Sequence, residues 1–313
     1  MFKIKKIKIL VLLSAFYFLF SSSFAFAAKL YFEPSTGEYH PRDTFIEEIK
    51  IDTEGECINA LEVNITFSND ILEAVDFSQG ESILTLWVKT PTINQKEGLI
   101  SFIGGIPGEY CGRIAGDPGP SNILGKIVFK IPGLIVRETK DNFAEIKFLD
   151  TSQVILSDKL GTKAKLTTRG AIFKILSEPG KLKDEWQEEI KKDNIPPEPF
   201  EIEINQDPLV FEGKYFIIFS TRDKQTGIDY FEVKEGKKDW EKAESPYLLE
   251  DQRLKSIIKV KAVDKARNER IAEYIPPIVK KPFPYWIIIL ILVGVGIIWW
   301  IIRKSKIKYQ KSK

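Results

Sequence analysis

The sequence predicts an all-β protein with two β-sandwiches in series, the first the larger, between an apolar N-terminal segment and a single C-terminal transmembrane helix. Three observations predict it. Apolar and polar residues alternate at period two from Leu30 to about Leu176 and again from Phe200 to about Ile275, with turn residues spaced as in a sandwich. No long amphipathic helix interrupts either stretch. Finally, Tyr285 to Ile302, YWIIILILVGVGIIWWII, runs 18 residues without a charge.

At the N-terminus, Lys3, Lys5, Lys6 and Lys8 precede the apolar stretch Ile9 to Phe20, and Ala25-Phe26-Ala27 places small residues at minus three and minus one. That order is expected of a secretory signal peptide over residues 1–28. Residues 29–176 are expected to form the first sandwich. In it Leu61, Val63, Ile65 and Phe67 alternate with Glu62, Asn64 and Thr66, and Ile49 and Ile51 alternate with charged neighbours. Further strands are expected at 83–88, 99–103, 127–131, 145–149, 154–156 and 171–175. A count of about nine short strands favours a jelly-roll-type sandwich over a seven-strand one.

Residues 177–195, SEPGKLKDEWQEEIKKDN and one residue beyond, are charged, with Leu182, Trp186 and Ile190 at spacing four. A short linker helix with those three on one stripe is expected, stopped by the prolines at 196, 197 and 199. Residues 196–275 are expected to form the second, smaller sandwich, with strands at 200–204, 214–220, 229–235 and 257–263. A proline-rich stalk, 276–284, leads into the span at 285–302. At 1.5 Å per residue this span nearly crosses a hydrocarbon core of about 30 Å, with Tyr285, Trp286, Trp299 and Trp300 near the interfaces. The tail, residues 303–313, carries six cations starting at Arg303 and Lys304 and no anion. Basic flanks stay cytoplasmic, so the ectodomain is expected outside the cell membrane, either in a periplasm or at the external surface.

The 313 residues hold 46 basic and 44 acidic side chains, a net charge of +2 that hides an asymmetry. Without the ten cations of the two termini, residues 29–302 are near −8. Nucleic acid needs a basic face rather than a surplus of carboxylates, so a nucleic-acid partner is not expected. Catalytic machinery is also missing from the sequence. There is one histidine, His40, no Gly-x-Ser-x-Gly elbow, no phosphate-cradling loop and no Cys/His pair. Adjacent acids such as Glu47/Glu48 point to opposite faces of a strand and cannot flank one bond. An enzyme is therefore not expected. Two cysteines and one histidine make no closed zinc shell, so neither metal nor cofactor is expected. Asp223, Asp229 and Asp264 are near enough in pattern to gather round a cation, yet turn and cap roles account for them without one. Cys57 and Cys111 either pair or stay free. Paired, they close a loop of about 55 residues worth roughly 4 kcal/mol.

Residues 58–88, INALEVNITFSNDILEAVDFSQGESILTLWV, then EGLISFIGGIPG and ILGKIVFKI, resemble the cohesin family in residue type and order. The matching pieces are Ile58 to Phe67, Ile71 to Val75, Gly98 to Phe102 and Leu124 to Phe129. The opening LYFEPSTGEYHPRDTFIEEIKI is similar to the family's first strands, with Asp43 and Phe45 in place and Arg42 where glycine is usual. The resemblance implies a protein-binding sandwich, since cohesins hold the calcium-loaded dockerin modules of secreted enzymes. Any calcium would then belong to the partner. The same sandwich architecture serves carbohydrate-binding modules, for which Trp87 and Tyr110 are the candidate sugar or partner contacts; their alternative is ordinary packing or edge protection. FSTRDKQTGIDYFEV, SPYLL and IKVKAVDKARNE look like a bacterial immunoglobulin-like module, with Arg267 in place of the usual glycine. Such a module would space the first sandwich from the membrane. Three functions compete: an anchored receptor for a dockerin-bearing protein, a polysaccharide-binding or adhesive surface protein, and a structural envelope component.

Overall fold

The computed structural model describes residues 27–112, 122–133, 143–178, 180–276 and 290–300. The chain falls into two compact units, 1–274 and 275–313. The first is all β, in two pairs of sheets.

Twelve strands build the first pair: β1 (Ala28–Glu33), β2 (Thr36–Tyr39), β3 (Thr44–Asp52), β4 (Ile58–Phe67), β5 (Glu73–Ser78), β6 (Leu86–Asn94), β7 (Leu99–Tyr110), β8 (Ile123–Lys130), β9 (Phe143–Phe148), β10 (Gln153–Leu156), β11 (Leu166–Arg169) and β12 (Ala171–Ile175). One sheet has the order β11-β1-β3-β8-β5; the other runs β2-β12-β9-β4-β7-β6, with β10 also on β4. The count exceeds the expected nine because two segments change sheets midway and because β5 is an additional strand. The chain passes from β1 to β2 and from β11 to β12, and each pair of halves lies side by side in parallel, β1 with β11 and β2 with β12. Alternation sends Leu61, Val63 and Ile65 of β4 inward, where they meet Phe32, Phe45, Phe102 and Phe129 in one core. Phe32 stacks on Phe148 at 4.2 Å and Tyr39 on Phe45 at 4.1 Å between ring centroids.

Arg42, where the resemblance expects glycine, has φ of 76°. A left-handed backbone explains why glycine is usual there. Arg267 repeats the situation at φ 73°, its guanidinium held by Asp229 at 3.0 Å.

Helix α1 (Glu185–Lys192) is shorter than the expected stripe. Asp184 caps it by accepting the Gln187 N–H at 3.0 Å. Trp186 is buried, but Leu182 precedes the cap and is exposed, so it does not share a face with the other two. The connector is stitched to β3: Thr44 N–H donates to the Lys183 carbonyl at 2.9 Å and Ile46 N–H to Glu185 Oε2 at 3.0 Å.

The second pair of sheets comprises β13 (Glu203–Asp207), β14 (Val210–Ile218), β15 (Ile228–Glu235), β16 (Glu241–Ala243), β17 (Tyr247–Leu248), β18 (Ile258–Asp264) and β19 (Glu269–Tyr274). The orders are β13-β14-β17 and β16-β15-β18-β19. Ile217, Phe219, Val233, Leu249, Ile258 and Val260 form their core. The strand expected at 200–204 begins only at Glu203, and β16, β17 and β19 are additional. These are short or edge strands whose alternation is weak.

In the second unit residues 290–300 form a helix, α2, whose large apolar side chains are exposed. Among the described residues no helix is long and apolar enough to cross a membrane. The rest of the expected span, with Tyr285 and Trp286, lies outside the described residues. So do the tail with Arg303 and Lys304, the expected leader apart from Ala27 and Ala28, and most of the stalk.

Candidate functional site

The outer faces of the two large sheets differ. In β8 the run Ile123 to Phe129 is buried residue after residue, so both of its faces are covered. One cover is α1. Lys126 points away from the core and is held by Glu81 at 2.5 Å and by Glu189 of α1 at 3.1 Å. Burial pulls the Lys126 ammonium down, but the two carboxylates outweigh it and the net direction is up. The other cover comes from the second pair of sheets. Ser78 Oγ donates to the Thr226 carbonyl at 2.6 Å, and Lys265 Nζ reaches Asp76 Oδ1 at 2.7 Å. The backbones nearly touch there: a Cβ on Gly80 would lie 2.0 Å from the Gln225 carbonyl oxygen, so only glycine fits.

Among the described residues nothing covers the outer face of β9-β4-β7-β6 in this way. Glu62, Asn64 and Thr66 of β4 stand half-exposed beside Ile103, Ser101 and Leu99 of β7. Their polar groups are already ordered. Asn64 Nδ2 donates to Glu62 Oε1 at 3.1 Å, and Gln153 Nε2 to Glu62 Oε2 at 2.7 Å. Those hydrogen bonds, Asn64's first, hold the Glu62 carboxyl below its usual range. Lys89 Nζ donates to Ser101 Oγ at 2.8 Å, and Thr92 Oγ1 shares a bond with the same hydroxyl at 3.0 Å. This gives an acid, a base, amides and hydroxyls side by side on one sheet face with Ile103 among them, the polar make-up of an interface rim.

Cys57 and Cys111 are joined by a disulfide. They flank β4 and β7, whose last pair is Ile58 with Tyr110, so the bridge clips the end of the two central strands of this face. Trp87 of β6 turns toward the core, with its ring 6.2 Å from Phe77 and 5.6 Å from Phe102. Its exposed edge also lines a cleft of about 1220 Å³ shared with Tyr230, Phe231 and Arg222 of the second pair of sheets. Tyr110 packs against the core, half-buried, and lies six residues along β7 from Gly104, the position opposite Trp87. That separation is roughly 20 Å, so the two rings are not one platform. Trp299 and Trp300 sit on α2.

Asp223 and Asp264 do approach each other, as the sequence allows. Their third companion is Asp193 at the end of α1, while Asp229 is engaged by Arg267. Sequence reasoning missed Asp193, which reads as a helix cap, and Glu47, a fully buried acid on the inward face of β3. Glu47 lies on the same face as Phe45 and Ile49, and neither carboxylate oxygen has a hydrogen-bond partner. Burial, then the charges of Glu48, Glu185 and Glu33, push its carboxyl up to about 10.

Neither a family model nor a curated protein matches the chain. Among solved structures, the chain is similar to the OlpC cohesin of Clostridium thermocellum, solved with its dockerin, at 13% identity and TM-score 0.37, over 48% of this chain and 94% of that one. It is also similar to the third ScaB cohesin of R. flavefaciens, in complex with a group 1 dockerin, at 14% identity and TM-score 0.36, over 49% of this chain and 97% of that one. The solution structure of CaCohA2 from Clostridium acetobutylicum matches at 13% identity and TM-score 0.37, over 49% and 94%.

Proposed function

We propose that this chain is a membrane-anchored, non-catalytic receptor whose first sandwich docks a dockerin-like protein through the outer face of β9-β4-β7-β6. The observation that carries this is the asymmetry of the two outer faces: α1 and the second pair of sheets cover one, and the other presents a pre-ordered polar surface. The sequence pieces that resemble cohesins lie on strands of the sandwich, with Ile58 to Phe67 as β4 and Leu99 to Phe102 at the start of β7. A polar sheet face whose candidate aromatics, Trp87 and Tyr110, pack against the core suits a folded protein partner better than a sugar, which favours exposed aromatic platforms. The second pair of sheets, of immunoglobulin-like type, would then serve as a spacer between the first sandwich and the anchor. The apolar surface of α2 is then covered by lipid, and the ectodomain stands outside the cell.

The test is a titration of the full chain, in detergent, against a panel of purified calcium-loaded dockerin modules. At least one module is expected to bind, and Ser101→Arg, which plants a long cation where Lys89 and Thr92 meet, is expected to weaken that binding at least tenfold. Failure of every module to bind, or binding that S101R leaves unchanged, contradicts the proposal.

A further inference from the structure

Three carboxylates from separate elements converge beside the covered face of the first sandwich. Asp193 ends α1, Asp223 lies in the β14–β15 loop and Asp264 closes β18. Each offers one carboxylate oxygen, and the three oxygens lie within 4.8 Å of one another. All three residues are buried, at 6%, 3% and 0% exposure. Among the described residues no lysine or arginine forms an ion pair with any of them, whereas nearby Asp76 is paired with Lys265.

Their hydrogen bonds fix the carboxylates without neutralising them. Asp223 Oδ2 accepts the N–H groups of Gln225, Thr226 and Gly227 at 3.0, 2.8 and 2.9 Å. With Oδ2 turned to its own loop, Oδ1 is the oxygen left for the cluster, and it is buried with no hydrogen-bond partner among the described residues. Gln225 Oε1, in the same loop, is likewise buried without a partner. Thr226 Oγ1 donates to Asp193 Oδ2 at 2.6 Å, and Asn268 holds both oxygens of Asp264 at 2.8 and 2.9 Å. Burial, and the charge of Asp193 after it, raise the carboxyls of Asp223 and Asp264. A buried oxygen with free lone pairs inside a triad of anions lacks a positive partner, and protein interiors seldom leave such a group alone.

We propose that Asp193, Asp223 and Asp264 form a binding site for a divalent cation, calcium by its chemistry. Hard carboxylate oxygens suit calcium, which takes six to eight of them at about 2.3–2.6 Å in a flexible shell, whereas magnesium demands a near-ideal octahedron and keeps most of its water. Water and second carboxylate oxygens complete the shell. The ion joins the end of α1, the β14–β15 loop and the β18–β19 turn. Thr226 links this assembly to Ser78 of β5, and Lys265 links it to Asp76. Calcium therefore locks the second pair of sheets against the first. This role is independent of what docks on the opposite face.

The experiment uses the full chain in detergent, stripped by chelator and then titrated with calcium chloride alone, followed by calorimetry and by thermal unfolding. One ion per chain is expected to bind, with the unfolding midpoint rising by several degrees at saturation. Asp223→Asn is expected to weaken calcium binding at least tenfold and to abolish the midpoint shift. In chelator the same variant should unfold no lower than the parent, because one of three crowded anions is gone; this separates loss of a ligand from loss of the fold. Asp229→Asn, whose residue pairs with Arg267, should keep the calcium response. Absence of binding heat and midpoint shift at millimolar calcium overturns the proposal, as does a full response in D223N.

Discussion

At the residue scale, Glu47 shows how strand alternation places a side chain regardless of its chemistry. The period that sends Phe45 and Ile49 inward sends Glu47 with them, while its neighbour Glu48 faces out and pairs with Lys50 at 2.8 Å. Since the folded carboxyl is raised from 4.5 to about 10, it keeps its proton at neutral pH. Below the unfolded value both states are protonated and the group costs nothing. As pH rises, the unfolded state ionises and the folded state does not, so stability falls steadily toward pH 10. Glu47→Gln removes this titration. Urea unfolding at pH 4 and pH 8 should show E47Q gaining on the parent by on the order of 5 kcal/mol across that interval, at roughly 1.4 kcal/mol per pH unit above the unfolded value. Parallel pH profiles for the two proteins would show that Glu47 ionises in the folded state.

At the element scale the β4–β7 pair is central, and the disulfide closes its end. With its cysteines 54 positions apart in sequence, the chain-entropy estimate is roughly 4 kcal/mol. The Cys57→Ser, Cys111→Ser double variant should lose about 2–4 kcal/mol of unfolding free energy in urea, whereas a loss under 1 kcal/mol would place the stabilisation of this end elsewhere. Much at this scale is legible in the sequence. The alternation of Leu61, Val63 and Ile65 marks β4 as half-buried, whereas β8, expected in the same series of strands, is buried on both faces in the structure. What covers β8 is not legible, because Glu189, Ser78 and Thr226 meet only through the tertiary fold. Leu182 misleads for a simpler reason: spacing four implies a shared helical face only where a helix exists, and Asp184 starts the helix after it. Asp193 was hidden in the same way, since a helix cap some 30 residues before Asp223 gives no local sign of a shared site. Asp229, by contrast, fits the pattern and is drawn off by Arg267.

At the scale of the whole molecule, the two sheet faces divide the work. One is spent on holding α1 and the second pair of sheets, through Lys126, Ser78 and Asp76, with the carboxylate triad beside them. The other is left to solvent with its polar groups aligned. The most direct test of this division is amide hydrogen exchange on the full chain, with and without a bound dockerin module. Binding is predicted to slow exchange in β4, β6 and β7 while leaving β8, α1 and the β14–β15 loop unchanged. Protection centred on the cleft beside Trp87 and Tyr230, with β4 and β7 unaffected, would contradict it and move the docking site to the junction of the two pairs of sheets.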